Sequence, residues 1–230
     1  MKAALRWIVD GLFAIFNLVL MFYAADQDIV DSGVLAWLLL MVLQFLAIVI
    51  HESGHAVAAH CAGARLLTFC VGWFAYDFRK RRWESQRGGN REVGGYVAFA
   101  FERHGTDTPA RRAWIAAAGP LANVATAAVL LLAMQLPSQP PLATEPVAVV
   151  AGQPPAGTAI TRLPDADTLE AIYDDYQARR AAEQRAQLAE ALARVFSILS
   201  LAIAALNLIP FDGSDGQGIW RALRRHPARR

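Results

Sequence analysis

Two histidines and a glutamate stand in the order His51-Glu52-Ser53-Gly54-His55, an H-E-x-x-H arrangement. On an α-helix, residues four apart lie almost above one another, so both imidazoles can reach one metal ion. Glu52 sits one position round from His51, where its carboxylate can touch a metal-bound water rather than the metal. Zinc would bring the pKa of that water down to about 7, and a nearby carboxylate could then take its proton. The chemistry available to this motif is metal-assisted hydrolysis, with His51 and His55 as metal ligands and Glu52 as the base.

The elements that carry the motif are unusual for such chemistry. The seventeen residues from Val34 to Ile50 hold one strongly polar side chain, Gln44. The motif therefore lies at the end of a segment long and apolar enough to cross a membrane. Ionisable side chains within an apolar span cost a few kcal/mol each and mark function. Three of them within five residues are hard to explain as packing.

A catalytic zinc usually has three protein ligands and one water. His60 and Cys61 follow the motif, but on a continuous helix His60 faces nearly the opposite side from His51. Asp212 and Asp215 are better candidates, because both follow the end of a later apolar run and carboxylate oxygen suits zinc. Glu84 and Glu92 are weaker ones, on a basic loop and near a strand.

The whole composition agrees with a membrane setting. Of 230 residues, 55% are hydrophobic, and the mean hydropathy is +0.29. The apolar residues are blocked into runs rather than spread at amphipathic spacing, the pattern of a polytopic membrane protein. Nothing in the net charge of +2 points to nucleic acid. Cys61 and Cys70 lack C-x-x-C spacing and read as small apolar side chains. The abundance of alanine and arginine suggests a bacterial source.

Four apolar runs are expected as spans, at about 5–25, 33–61, 113–136 and 192–209. The first reads as an uncleaved span rather than a signal peptide, with Asp10 near its end. Gly63 is expected to end the second. Between the second and third, residues 64–105 read as a small membrane-associated β segment. There Leu66–Phe78 and Val93–Phe101 are strands joined by the basic loop Arg79-Lys80-Arg81-Arg82 and the turn signal Gly88-Gly89-Asn90. The third run contains Ala118-Gly119-Pro120-Leu121-Ala122-Asn123, with proline taken to lie near a helix start. Residues 137–164 read as an irregular linker. Asp165 to about Glu190 reads as a separate amphipathic helix with Leu169, Ile172, Tyr173 and Tyr176 on one face, capped by Asp167 or Thr168. The fold class is thus mainly α, with 1–136 and 191–217 as a transmembrane core. Residues 137–190 form an extracytoplasmic linker and helix, and 218–230 a basic cytoplasmic tail.

Charge orients the chain. Segment 62–112 carries Arg65, Arg79, Lys80, Arg81, Arg82, Arg87, Arg91, Arg103, Arg111 and Arg112, whereas 137–193 carries only Arg162, Arg179, Arg180 and Arg185 against eight acids. The positive-inside rule puts both termini and 62–112 in the cytoplasm. Three polar motifs far apart in sequence then share one membrane depth: His51–His55, Gly119–Asn123 and Asn207–Asp215.

These residues resemble the site-2 protease family of intramembrane metalloproteases. His51-Glu52-Ser53-Gly54-His55 with Ala59 and Gly63 is similar to the family's first motif. Gly94-Gly95-Tyr96-Val97 resembles its membrane-associated strand, and Ala118-Gly119-Pro120-Leu121-Ala122-Asn123 its glycine-proline-asparagine motif. Asn207-Leu208-Ile209-Pro210 with Asp215-Gly216 resembles its asparagine-proline and aspartate-glycine motif. The match runs from about 40 to 217, excluding 137–190, which is too short and irregular for the full PDZ domain some members carry. Two departures stand out: Ser214 where the family usually has leucine, and the extra acid Asp212.

The resemblance implies one zinc ion per chain, held by His51, His55 and Asp215, with Asp215 favoured over Asp212 by its distance from Asn207. It implies cleavage of a peptide bond in or beside a transmembrane helix of a membrane-anchored substrate, in the inner membrane. A strand edge at Gly94–Phe99 would bind the unwound substrate. Asn123 would hold substrate backbone or a developing oxyanion, and Gly95 and Asn207 would also meet substrate. Two other functions share these residues: a membrane protein that senses or transports metal without proteolysis, and a peptidase that clears signal-peptide remnants.

Overall fold

The computed structural model describes residues 11, 14–23, 32–85, 94–102, 105–135 and 166–224. Asp10, Glu92, the linker 137–164, Asp165 and the tail arginines beyond Arg224 lie outside them. The chain divides into two units, Met1–Ala133 with Ala191–Arg230, and Met134–Glu190.

A short apolar helix, α1 (Ala14–Tyr23), comes first. The long helix α2 (Gly33–Cys61) follows. Ser32 begins it by accepting the Leu35 N–H on its hydroxyl at 3.2 Å, the usual N-cap bond. It ends because Gly63 adopts φ +80 and donates its N–H to the His60 carbonyl at 2.9 Å, as a C-terminal glycine does. Its exposed side chains include Val34, Leu35, Trp37, Leu38, Met41, Val42, Phe45 and Leu46. A helix that presents such residues outward is built for a lipid solvent. Its buried residues are small or functional: Ala36, Leu40, Ala47, His51, Glu52, His55, Ala58 and Ala59.

Next come β1 (Arg65–Val71), β2 (Phe74–Asp77), β3 (Arg82–Ser85) and β4 (Gly95–Ala100). They form one antiparallel sheet in the order β3-β2-β1-β4. The expected strand at 66–78 is in fact a hairpin, because Gly72 takes φ +57 and turns the chain back on itself. The basic cluster forms the next tight turn. Asp77 accepts the N–H groups of Arg79 at 2.8 Å and Lys80 at 3.1 Å, an Asx-type turn that holds its carboxyl below the usual range. Arg82 already belongs to β3.

Helix α3 (Pro109–Ala133) starts earlier than the sequence suggested. Thr108 accepts the Arg111 N–H on its hydroxyl, and Pro109 suits a first helical position. Pro120 is consequently interior, not near the start. Its ring cannot donate to the Ala116 carbonyl one turn back.

Helix α4 (Ala166–Leu208) is one continuous helix of 43 residues, where the sequence reading placed an amphipathic helix and a separate span. No glycine or proline occurs in this stretch to break it. Asp167 and Thr168 therefore fall inside its first turn rather than capping it. At 1.5 Å per residue it rises about 65 Å, about twice the apolar thickness of a bilayer. Its charged and apolar stretches cannot both lie in lipid. Leu169, Ile172, Tyr173 and Tyr176 are exposed. After Leu208, the short helix α5 (Asp215–Arg224) follows, where residues from 218 were expected to be tail.

Among the described residues, three helices are long and apolar enough to cross a membrane: Gly33–Cys61, Pro109–Ala133 and Asp167–Leu208. Two apolar clusters hold the first unit together. Leu20, Leu40, Ala47, Val195, Phe196, Leu199 and Ile203 join α1, α2 and α4. Ala58, Ala59, Ala64, Ile115 and Ala118 join α2 to α3, with Phe99 and Phe101 packed against them. The second cluster is nearly all alanine, so the backbones approach closely. A Cβ built on Gly54 would stand 2.8 Å from the Ala122 Cβ and closer still to the Ala118 carbonyl oxygen. This close approach sets α3 against the motif on α2.

Candidate metal centre

The third turn from the end of α2 presents His51, Glu52 and His55 inward, all buried. The fold then brings Asp215 to them from the start of α5. His51 Nε2 lies 2.8 Å from Asp215 Oδ2, and His55 Nε2 lies 3.1 Å from Asp215 Oδ1. Ligand atoms of these three residues lie within 4.8 Å of one another, and they form the one such metal-competent group among the described residues.

The chemistry of this donor set fits zinc. The His55 Nδ1 lies 2.6 Å from the Ile115 carbonyl oxygen, an acceptor, so that nitrogen carries the hydrogen. The neutral ring then turns its Nε2 lone pair toward Asp215 Oδ1. Two acceptors facing each other repel unless a cation lies between them. Two imidazole nitrogens and one carboxylate oxygen are also a recurrent ligand set for catalytic zinc.

Two residues whose roles the sequence leaves open make this geometry possible. Gly119 of α3 lies against both rings: a Cβ there would stand 2.7 Å from His51 Nε2 and closer to His55 Nε2. No other residue type fits. Ser214 starts α5. Its hydroxyl accepts the Gln217 N–H at 3.2 Å and donates to the carbonyls of Ile209 and Phe211 at 2.6 and 2.8 Å. Gln217 reaches back to the Gly213 N–H at 3.3 Å. Ser214-x-x-Gln217 is a capping-box signature readable in the sequence. Serine at this departure from the family pattern thus holds Asp215 at the first position of its helix.

The alternative ligands stand elsewhere. Asp212 is half exposed and bonds to the Gln217 amide, with Arg221 3.8 Å away. Glu84 pairs with Lys80 and Arg82. His60 and Cys61 are exposed, so Cys61 is not a packed apolar side chain, whereas Cys70 is buried.

A cleft of about 550 Å³ opens onto these ligands. Glu52, Gly95, Val97 and Asn207 line it, and the Asp107–Arg112 pair and Arg221 stand at it too. A Cβ on Gly95 would lie 2.7 Å from Glu52 Cγ and 2.8 Å from its Oε1, so the glycine leaves room for the carboxylate beneath β4. Asn207 donates one amide hydrogen to the Ile203 carbonyl at 3.0 Å. Asn123, expected to meet substrate, is fully buried and does not line the cleft. Its amide lies instead 3.3 Å from the ring of His51.

A family model for peptidase family M50 matches residues 38–230. The chain belongs to peptidase family M50. This is the site-2 protease family, whose members are membrane zinc metalloendopeptidases. The M50 match begins in α2 before the H-E-x-x-H motif and runs through α5, so it spans both elements that carry the candidate metal group. Comparison with curated proteins and with solved structures returned no match.

Proposed function

We propose that this M50 peptidase hydrolyses a peptide bond in or next to a transmembrane helix of a membrane-anchored substrate. The supporting observation is the convergence of His51, His55 and Asp215 from two distant elements, with Glu52 in the same cleft beside an open strand edge. His51, His55 and Asp215 would hold one zinc ion. When bound, zinc supplies Lewis acidity, which lowers the pKa of a water and polarises a carbonyl.

The remaining work falls to the chain itself. Glu52 takes the proton of the attacking water and passes it to the leaving amine. A helical substrate hides its amides in hydrogen bonds, so it must open before attack. β4 is an edge strand in the described sheet. Gly94 pairs with Gly72 through the Gly72 N–H at 2.8 Å. In an antiparallel ladder the bonded sites alternate, so the backbone groups of Gly95 and Val97 point away from β1. An opened substrate can add to them as a further strand. Gly95 keeps that strand close to Glu52, and Asn207 meets it from the other side of the cleft.

The charge distribution supports an inner-membrane location with both termini in the cytoplasm, and α1 as part of a fourth span. The site would then lie near the cytoplasmic surface, where water can reach it. Glu52→Gln is the test. With a co-expressed single-span substrate, cleavage should fall below detection while the purified protein keeps its zinc. Cleavage at the wild-type rate would refute the assignment. Offering an intact span beside a short signal-peptide remnant decides which substrate class is preferred.

A further inference from the structure

Helix α3 meets the two histidines along one stripe, Ile115, Gly119 and Asn123, each four residues from the next. Such spacing puts all three on one face. Gly119 makes room for the rings. Ile115 supplies a carbonyl acceptor 2.6 Å from His55 Nδ1. Asn123 occupies the corresponding place beside His51, with its amide 3.3 Å from His51 Nδ1. Asn123 is fully buried, and its Oδ1 has no hydrogen-bond partner.

A neutral histidine that uses Nε2 as a metal ligand carries its hydrogen on Nδ1. That hydrogen needs an acceptor in a buried site. An asparagine amide offers one after a half-turn about its terminal bond, since its oxygen and nitrogen are nearly equal in size. We infer that Asn123 is a positioning residue for His51, whose Nδ1–H it receives on Oδ1 whenever Nε2 serves as a ligand. This rests on the zinc-site reading above and assigns Asn123 to the ligand rather than to the substrate. The two ligand histidines would thereby be oriented by the same helix, one through backbone and one through a side chain.

Groups that orient a ligand histidine typically change metal affinity by about 10–100-fold when removed. The test compares zinc affinity of full-length protein in detergent, by competition with a chromogenic chelator. Asn123→Leu keeps the branched shape and loses the acceptor. It should bind zinc about 10–100-fold more weakly. Asn123→Asp keeps an acceptor and should bind as tightly as wild type or tighter. Wild-type affinity in Asn123→Leu, or equal weakening in both variants, would overturn the inference. A measurement on the unaltered protein covers the case in which Asn123→Leu fails to fold. With 15N-labelled histidine and zinc, the His51 Nδ1–H should be shielded from solvent exchange; rapid exchange of that proton would overturn the inference. A wild-type protein that binds no zinc would instead remove the metal-site reading itself.

Discussion

His51 Nε2 and Asp215 Oδ2 lie 2.8 Å apart although 164 residues separate them in the chain. Their contact joins α2 to α5, and α3 packs against both helices. The site therefore exists only when the helix carrying Asp215 is docked on α3. Asp212, three residues earlier, is held outside by Gln217 and Arg221. Asp215→Ala should lose most bound zinc, and Asp212→Ala should keep it, by metal analysis of the purified proteins. Full zinc in Asp215→Ala with loss in Asp212→Ala would reverse the ligand choice.

Gly119→Ala adds a single methyl group in helical backbone, where alanine is the better residue by about 1 kcal/mol. The overlap with both imidazoles should cost more, of the order of 1–3 kcal/mol for overpacking. The expected outcome is a helical protein with little zinc and no cleavage. Circular dichroism and metal content measured together check it; full zinc occupancy would show that the rings have room.

Ser214→Ala removes the cap of α5. Loss of such a cap costs about 1 kcal/mol, and the first residue it releases is Asp215. A lower thermal midpoint and faster zinc release are expected together. Ser214→Thr should restore both, since threonine keeps a hydroxyl that caps the helix and can still donate to the two carbonyls. A leucine at this position, as in the family pattern, would lack the hydroxyl that bonds Ile209 and Phe211.

Val97→Pro tests the edge of β4. Proline removes an N–H that faces away from β1, so the ladder should survive. Zinc should remain bound while cleavage of a single-span substrate falls several-fold through a higher KM. An unchanged KM would argue against substrate strand addition at this edge.

Much of the candidate site is legible in residue spacing, because its rules are local. His51, Glu52 and His55 share one turn of helix, and a four-residue interval on a helix leaves little choice of geometry. Spans are legible for a similar reason, since a run of apolar side chains follows directly from bilayer thickness. Ser214-x-x-Gln217 is an equally local signal, its serine lying between two more conspicuous acids.

What tertiary structure alone decided are matters of contact between distant segments. Asp212 and Asp215 are the same residue type three positions apart, and only the docking of α5 places one at the imidazoles and the other against Gln217. Asn123 reads in sequence as a polar group inside an apolar helix. Whether it faces substrate, lipid or a ligand depends on the rotation of α3 against α2, which the Gly54–Ala118 and Gly119–His55 contacts set through steric exclusion. The single helix from Ala166 to Leu208 follows from the absence of any breaker, a signal outweighed in the sequence reading by the change from charged to apolar composition. Periodicity reports the solvent a segment prefers; which neighbour it meets is settled by packing, where one absent methyl group decides whether two rings can share a metal.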